Sequence, residues 1–194
     1  PTAYRAVLDE VRSGGAGRLA KCVSAGETLP KATFEAWEDA TGIRIIDGIG
    51  STEMLHIFIS AAGADIRPGS TGLAVPGYRA RCIDDEGAEA PRGEVGRLAV
   101  RGPTGCRYLD DPDRQRAYVQ DGWNLTGDAY VQDEDGYFWY QARTDDMIVS
   151  SGYNIAGPEV EAVLLEHPGV RECAVIGVPD EERGQVVKAV VVLR

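Results

Sequence analysis

The sequence predicts a mixed α/β (α+β) chain: an α/β unit, then antiparallel sheet, then a smaller α+β end. Three observations carry that prediction. Over residues 1–69, helical periodicity alternates with short apolar runs, the pattern of strands joined through helices. Over residues 70–145 the period shortens to alternating strands divided by Gly- and Asp-rich turns, which reads as antiparallel sheet. Beyond Asp145 and Asp146 a helix and two long β-branched runs form a third pattern, so a domain boundary is placed there, separating 1–145 from 146–194.

Each element has a local reason. Thr2 is placed to cap a helix in which Tyr4, Val7, Leu8 and Val11 recur at helical spacing and which Gly14, Gly15 and Gly17 end. "LAKCVSAG" reads as a short strand. Pro30 opens a second helix carrying Phe34 and Trp37, Gly42 closes it, and "IRIID" follows as a buried strand. "GYRARCID" and "GEVGRLAVRG" flank an acidic turn at 84–87, a short helix covers 111–118, and "DAYVQ" and "YFWYQAR" flank "DEDG" as a hairpin. In the last piece a small strand precedes a helix from Pro158 to about Glu166, stopped before Pro168, and the strands "ECAVIGV" and "VVKAVVVL".

Composition excludes several functions. Twenty Lys and Arg against thirty-one Asp and Glu leave a formal charge of −11, so no basic footprint exists for nucleic acid or for an anionic membrane surface. Apolar runs such as "AVVVL" fall far short of the roughly 20 residues of a membrane span. Cys22, Cys82, Cys106 and Cys173 form no Cys-x-x-Cys pair, so four reduced structural thiols are expected. With no basic-then-apolar leader at the start, a cytoplasmic location is the expectation.

Three segments hold candidate chemistry. "DGIGSTEM" follows directly on a strand, where small residues let the backbone approach a phosphate, a Thr hydroxyl donates to its oxygens and a carboxylate holds Mg²⁺; it also reads as an ordinary capped helix start. Asp128 in "LTGD" and Arg143 in "QARTDD" meet across the hairpin, either to share the hydroxyls of a ribose or as a surface ion pair. "SSGYNIAGPEVEAVL" joins a tight Gly turn to a Pro-opened helix bearing Glu159 and Glu161.

Taken in order, "GIGSTEM", "LTGD" and "ARTDDMIVSSGYNIAGPEVE" resemble the adenylate-forming superfamily of acyl-CoA synthetases, luciferases and peptide-synthetase adenylation domains, over essentially the whole chain. The resemblance implies the end of the large adenylation domain, with its antiparallel barrel-like subdomain, followed by the start of a small mobile C-terminal domain. It gives Thr52 a contact to the α-phosphate of ATP, Glu53 the Mg²⁺, and Asp128 and Arg143 the nucleotide, with Gly50 and Ser51 in the same turn. Asp145 matches the hinge about which the small domain turns. Gly152 matches a turn lining the channel for the pantetheine of coenzyme A, and Gly26 with Glu27 in "SAGE" the segment beside the adenine and acyl pocket.

Within that superfamily, "DGIGSTEMLHIFIS" and "SSGYNIAGPEVEAVLLEHPGV" are most similar to benzoate and 2-aminobenzoate CoA ligases. That implies an aromatic carboxylate as substrate, with Ile49, Met54, His56 and Ile57 near the aryl pocket; a buried structural role for His56 stays open. Ile49 stands where many relatives carry an aromatic residue, and Val149 where many carry Lys. Transfer to a carrier protein and a non-catalytic nucleotide-binding module are the alternatives. The family's Ser/Thr/Gly-rich phosphate loop and its distal catalytic Lys have no match between Pro1 and Arg194, so an internal piece, inactive alone and prone to self-association along an uncovered sheet edge, is expected.

Overall fold

The structure is a computed structural model that describes residues 1–193. Helix α1 (Thr2–Gly14) sets Tyr4, Leu8 and Val11 against a core formed by Leu29, Phe34, Trp37, Ile45 and Ile66. Thr2 is not its cap. It already lies inside the helix, whereas a cap residue sits outside it, and its hydroxyl donates instead to the Glu27 carboxylate at 2.7 Å. Strand β1 (Cys22–Ser24) is followed by α2 (Lys31–Thr41), begun by Pro30 at φ −62° and closed at Gly42, which buries Phe34 and Trp37.

Strand β2 (Ile45–Gly50) pairs parallel with β1, as a strand–helix–strand unit requires. It runs further than the sequence pattern indicates, because Gly48 and Gly50 belong to the strand and not to the turn beyond it. The reason is β3 (Ile57–Ser60), antiparallel to β2 and so close that a Cβ at Gly50 would stand 2.5 Å from the His56 carbonyl oxygen. Only glycine permits that approach. Antiparallel pairing therefore starts at β2 and β3, earlier than residue 70, and continues into β4 (Leu73–Ala74).

A five-stranded antiparallel sheet follows. It contains β5 (Arg79–Ile83), β6 (Val95–Arg101), β7 (Val119–Gln120), β8 (Trp123–Gln132) and β9 (Phe138–Arg143), in the order β5-β6-β8-β7 with β9 also on β8. Helix α3 (Pro112–Tyr118) interrupts it, capped by Asp111, whose side chain accepts from the Arg114 amide at 2.9 Å. The Gly72↔Phe138 bridge ties this sheet to the first, and Met54, Phe58, Leu98, Val100, Tyr130 and Phe138 fill the space between them.

The third sheet has the order β11-β10-β13-β12, from β10 (Ile148–Ser150), β11 (Tyr153–Ile155), β12 (Val170–Asp180) and β13 (Gly184–Leu193). Helix α4 (Gly157–Leu165) packs on β12. Residues 144–147 alone connect β9 to β10, spanning the position where the sequence pattern changes. Among the described residues no helix is long and apolar enough to cross a membrane, and the four cysteines are free.

Candidate active site

Where the first two sheets meet, a cavity of about 750 Å³ opens. One wall is the end of β2 and the turn after it, from Gly48 to Glu53; opposite lie Asp128 on β8 and Arg143 on β9; Gly26 and Glu27 close the side next to β1. Nine residues singled out in the sequence thus line one space: Gly26, Glu27, Ile49, Gly50, Ser51, Thr52, Glu53, Asp128 and Arg143.

The turn is built locally. The Met54 amide donates to both the carbonyl and the hydroxyl oxygen of Ser51, at 3.2 Å each, and Leu55 closes the turn at φ 64°, a left-handed backbone that costs a non-glycine residue energy. This leaves Thr52 exposed at the cavity and directs Met54 the other way. Met54 is fully buried in the core and does not line the cavity, because its carbonyl is fixed by the Thr104 hydroxyl at 2.7 Å and its side chain lies among Phe58 and Leu98. His56 does not line the cavity either. It is exposed, its Nδ1 3.4 Å from the Ile57 carbonyl oxygen, so the buried structural alternative does not hold. Ile57 pairs with Gly50 in the β2–β3 ladder.

Asp128 and Arg143 face each other in register across β8 and β9, and Arg143 Nη1 donates to Asp128 Oδ1 at 3.2 Å and to the Thr126 carbonyl at 3.1 Å. Burial raises the Asp128 carboxyl above its ordinary range, while Thr126 and Arg143 pull it back down. Arg143 also reaches Asp145, with Nε 3.6 Å from Oδ1. Asp145 itself is exposed, in the connection between the sheets; Gly152 lies in the β10–β11 turn at φ +83°, away from the cavity. Val149 is on β10.

The cavity also holds residues the sequence reading passed over. Asp47, on β2, lines it with Oδ1 buried and unpartnered, and burial pushes its carboxyl up to about 6. A charged residue inside the apolar run "IIDGIG" was the available signal. Tyr118, from α3, lines it with an equally unpartnered buried hydroxyl. Tyr108 and Arg114 complete that wall, and Tyr108 donates its hydroxyl to Glu53 Oε1 at 2.8 Å. Although partial burial works against it, the bond from Tyr108 and neighbouring donors hold the Glu53 carboxyl below its usual value.

Among the described residues no group of three or more His, Cys, Asp or Glu side chains is arranged to hold a metal ion. A divalent cation would here be shared between Glu53 and the oxygens of a bound phosphate, a hard-oxygen set of the kind Mg²⁺ takes. The two orphaned buried polar atoms, Asp47 Oδ1 and Tyr118 Oη, are groups that a ligand with its own donors and acceptors would satisfy.

An open cavity of this volume with a Gly/Ser/Thr turn, a carboxylate anchored by Tyr108 and an Asp–Arg pair has the size and polar lining of a small-molecule site. The chain belongs to the AMP-binding enzyme family: residues 1–108 match the AMP-binding enzyme model, and residues 159–194 match the model of the AMP-binding enzyme C-terminal domain. It is 41% identical to a benzoate–CoA ligase of Thauera aromatica, over all of this chain and 38% of the relative. It is also 41% identical to a mitochondrial acyl-coenzyme A synthetase of Rattus norvegicus, over all of this chain and 34% of the relative. The crystal structure of an anthranilate CoA ligase in complex with anthranoyl-AMP superimposes with a TM-score of 0.93 at 45% identity, covering all of this chain and 38% of that one. The chain thus spans between a third and two-fifths of the length of these relatives. Both mixed α/β architecture and antiparallel sheets agree with the sequence-based expectation.

Proposed function

We propose that this chain supplies the nucleotide site of an AMP-forming acid–thiol ligase, with ATP, Mg²⁺, a carboxylic acid and coenzyme A as its ligands. The observation that carries the proposal is the convergence of three distant segments, 26–27, 47–53 and 128–143, on one cavity. In this reading the substrate carboxylate oxygen attacks the α-phosphorus of ATP, the P–O bond to pyrophosphate breaks, and an acyl adenylate forms. The thiolate of coenzyme A then attacks the acyl carbon and AMP leaves. The carboxylate is its own nucleophile, so the chain's residues bind and orient and need not abstract a proton in the first step.

Asp128 accepts from the ribose hydroxyls while Arg143 holds its carboxylate in place. Thr52 donates to a phosphate oxygen, and Glu53 offers a hard oxygen to the cation that neutralises the phosphates. Asp47 supplies a buried acceptor at the cavity wall. Asp145 is the hinge, in the chain segment that joins β9 to β10 and tied to the site through Arg143; Gly152 serves the thiol-transfer state.

An aromatic acid of the benzoate or 2-aminobenzoate type is the preferred substrate in this proposal. Support comes from the benzoate and anthranilate ligases among the relatives and from apolar Ile49 at the cavity. With Met54 in the core and His56 outside the cavity, neither contacts the ring in this arrangement. The test is carboxylate-dependent exchange of pyrophosphate into ATP by the whole protein, with benzoate, 2-aminobenzoate and a straight-chain acid compared. Fastest exchange with the straight-chain acid would overturn the aromatic preference; no carboxylate-dependent exchange would overturn the ligase reading.

A further inference from the structure

Glu53 is the one carboxylate that the proposed function gives to the cation, and a Glu side chain on an exposed turn has three rotatable bonds to immobilise before it can do so. Something must hold it. The structure supplies a holder from far away in the chain: the Tyr108 hydroxyl, bonded to Glu53 Oε1 at 2.8 Å across a separation of 55 residues.

Tyr108 is itself gripped on three sides. Its amide donates to Gln115 Oε1 at 2.8 Å, fixing the loop before α3 to the helix. The Arg114 guanidinium carbon stands 4.3 Å from the centre of its ring, and the Tyr118 ring meets it edge-on at 5.7 Å and 89°. The helix that carries these three partners is fixed in turn by the Asp111 cap. A phenol suits the task chemically. It fixes one carboxylate oxygen by donation without bringing a positive charge onto it; the positive charge nearby, Arg114, stands over the ring and helps to lower the Glu53 carboxyl, but among the described residues no ion pair joins it to Glu53.

We propose that Tyr108 is a positioning residue that orients Glu53 for a divalent cation, occupying Oε1 and leaving Oε2 for the metal, with the 106–118 segment acting as its mount. The proposal rests on the assignment of Glu53 under the proposed function. It makes α3 and its loop part of the cation site although none of their side chains is a cation ligand. Partners that orient a metal ligand without touching the metal commonly matter by roughly 10–100-fold in metal affinity.

The test is equilibrium binding of ATP to the whole protein, by calorimetry, in chelator and across a Mg²⁺ titration, for the parent, Tyr108→Phe and Glu53→Gln. Phe keeps the ring and its contacts with Arg114 and Tyr118 and removes only the hydroxyl. Expected for Tyr108→Phe is a rise of about tenfold in the Mg²⁺ concentration that half-saturates the tightening of ATP binding, with affinity in chelator unchanged. If Glu53→Gln shifts that concentration and Tyr108→Phe does not, Tyr108 only packs and the inference falls while the role of Glu53 stands. If neither variant shifts it, the cation role of Glu53 falls and the inference with it. Equal weakening with and without Mg²⁺ also overturns it. Should Tyr108→Phe fail to fold, Gln115→Ala, which frees the loop but keeps the phenol, must give a smaller rise in the same direction; an unchanged value overturns the inference.

Discussion

The first 143 residues and the sheet of residues 148–193 are both held by regular backbone ladders, yet the large buried side chains lie mainly in the first. In the first region Phe34, Phe58, Tyr130 and Phe138 are fully buried, and the turn of the candidate site is fixed from behind by Met54 and Thr104. In the second, β12 and β13 pair in continuous register from Glu172↔Val192 to Asp180↔Gly184 while Ile176, Val187, Val190, Val191 and Val192 stay exposed. The site residues follow the same division. Of those lining the cavity, Asp47, Ile49, Asp128 and Arg143 stand on strands, and the turn bearing Thr52 and Glu53 is held by the buried Met54, so much of the geometry is set before a ligand arrives. Asp145 is exposed and meets the site only through Arg143, and Gly152 is exposed and away from the cavity, so the proposed roles of both call for the second region to move.

The most direct way to break that contrast is to stiffen the connection. Proline at Asp145 fixes one φ angle in the segment joining the two regions. Asp145→Pro in the whole protein is expected to keep one half-reaction, read by pyrophosphate exchange or by thioester formation from supplied acyl adenylate, and to lose the other. Equal loss of both would show that the exposed region is a structural appendage and does not turn.

A smaller effect is expected within the fixed region. Asp128→Ala removes a charge-assisted acceptor and leaves Arg143 with Asp145 and the Thr126 carbonyl. Such bonds contribute roughly 1.5 to 3 kcal/mol, so the KM for ATP is expected to rise about ten- to a hundredfold with little change in fold stability. A KM that stays put would make the Asp128–Arg143 pair a structural clasp.

Two glycines sharpen the contrast further. At Gly50 a Cβ meets the His56 carbonyl at 2.5 Å; at Gly152 nothing lies within 4 Å and only the φ of +83° resists a side chain. Gly50→Ala is therefore expected to cost about 1–3 kcal/mol of stability, as overpacking against backbone does, and Gly152→Ala about 1 kcal/mol from the left-handed conformation alone. Denaturant midpoints of the whole protein measure both. The reverse order would mean that the first region yields more readily than its packing implies.

What the sequence revealed divides along similar lines. Elements set by local chemistry are legible: Pro30 and Gly42 bound α2, a short helix falls at 111–118, and the alternating runs give β5, β6, β8 and β9. Features set by distant packing are not. Gly48 and Gly50 read as a loop until β3 is laid beside them, and Met54 reads as a pocket residue until the core behind it is seen. Thr2 reads as a cap until Glu27 is brought within reach. The hold of Tyr108 on Glu53 spans 55 residues and ends in a loop without periodicity, so no spacing rule could propose it.

Asp47 gives the finest test, because its expected effect depends on pH in a definite direction. Burial raises its carboxyl to about 6 in the folded chain, from an ordinary value near 3.8. Well below pH 3.8 the group is protonated whether the chain is folded or not, and the preference for the folded state is fully present. As pH rises towards 6 the unfolded chain releases its proton while the folded chain keeps it, so stability falls across that window and levels off above it. At about 1.4 kcal/mol for each pH unit the ceiling is about 3 kcal/mol, and water reaching the open cavity lowers the expected loss to about 1–2 kcal/mol. Asp47→Asn, neutral at every pH, removes the fall. Its midpoint of thermal unfolding should match the parent near pH 3 and exceed it by a few degrees at pH 7, where the parent carries a charge on a carboxylate with a buried, unpartnered oxygen. Equal midpoints at both pH values would mean that Asp47 is solvated in the cavity and that this wall is open to water.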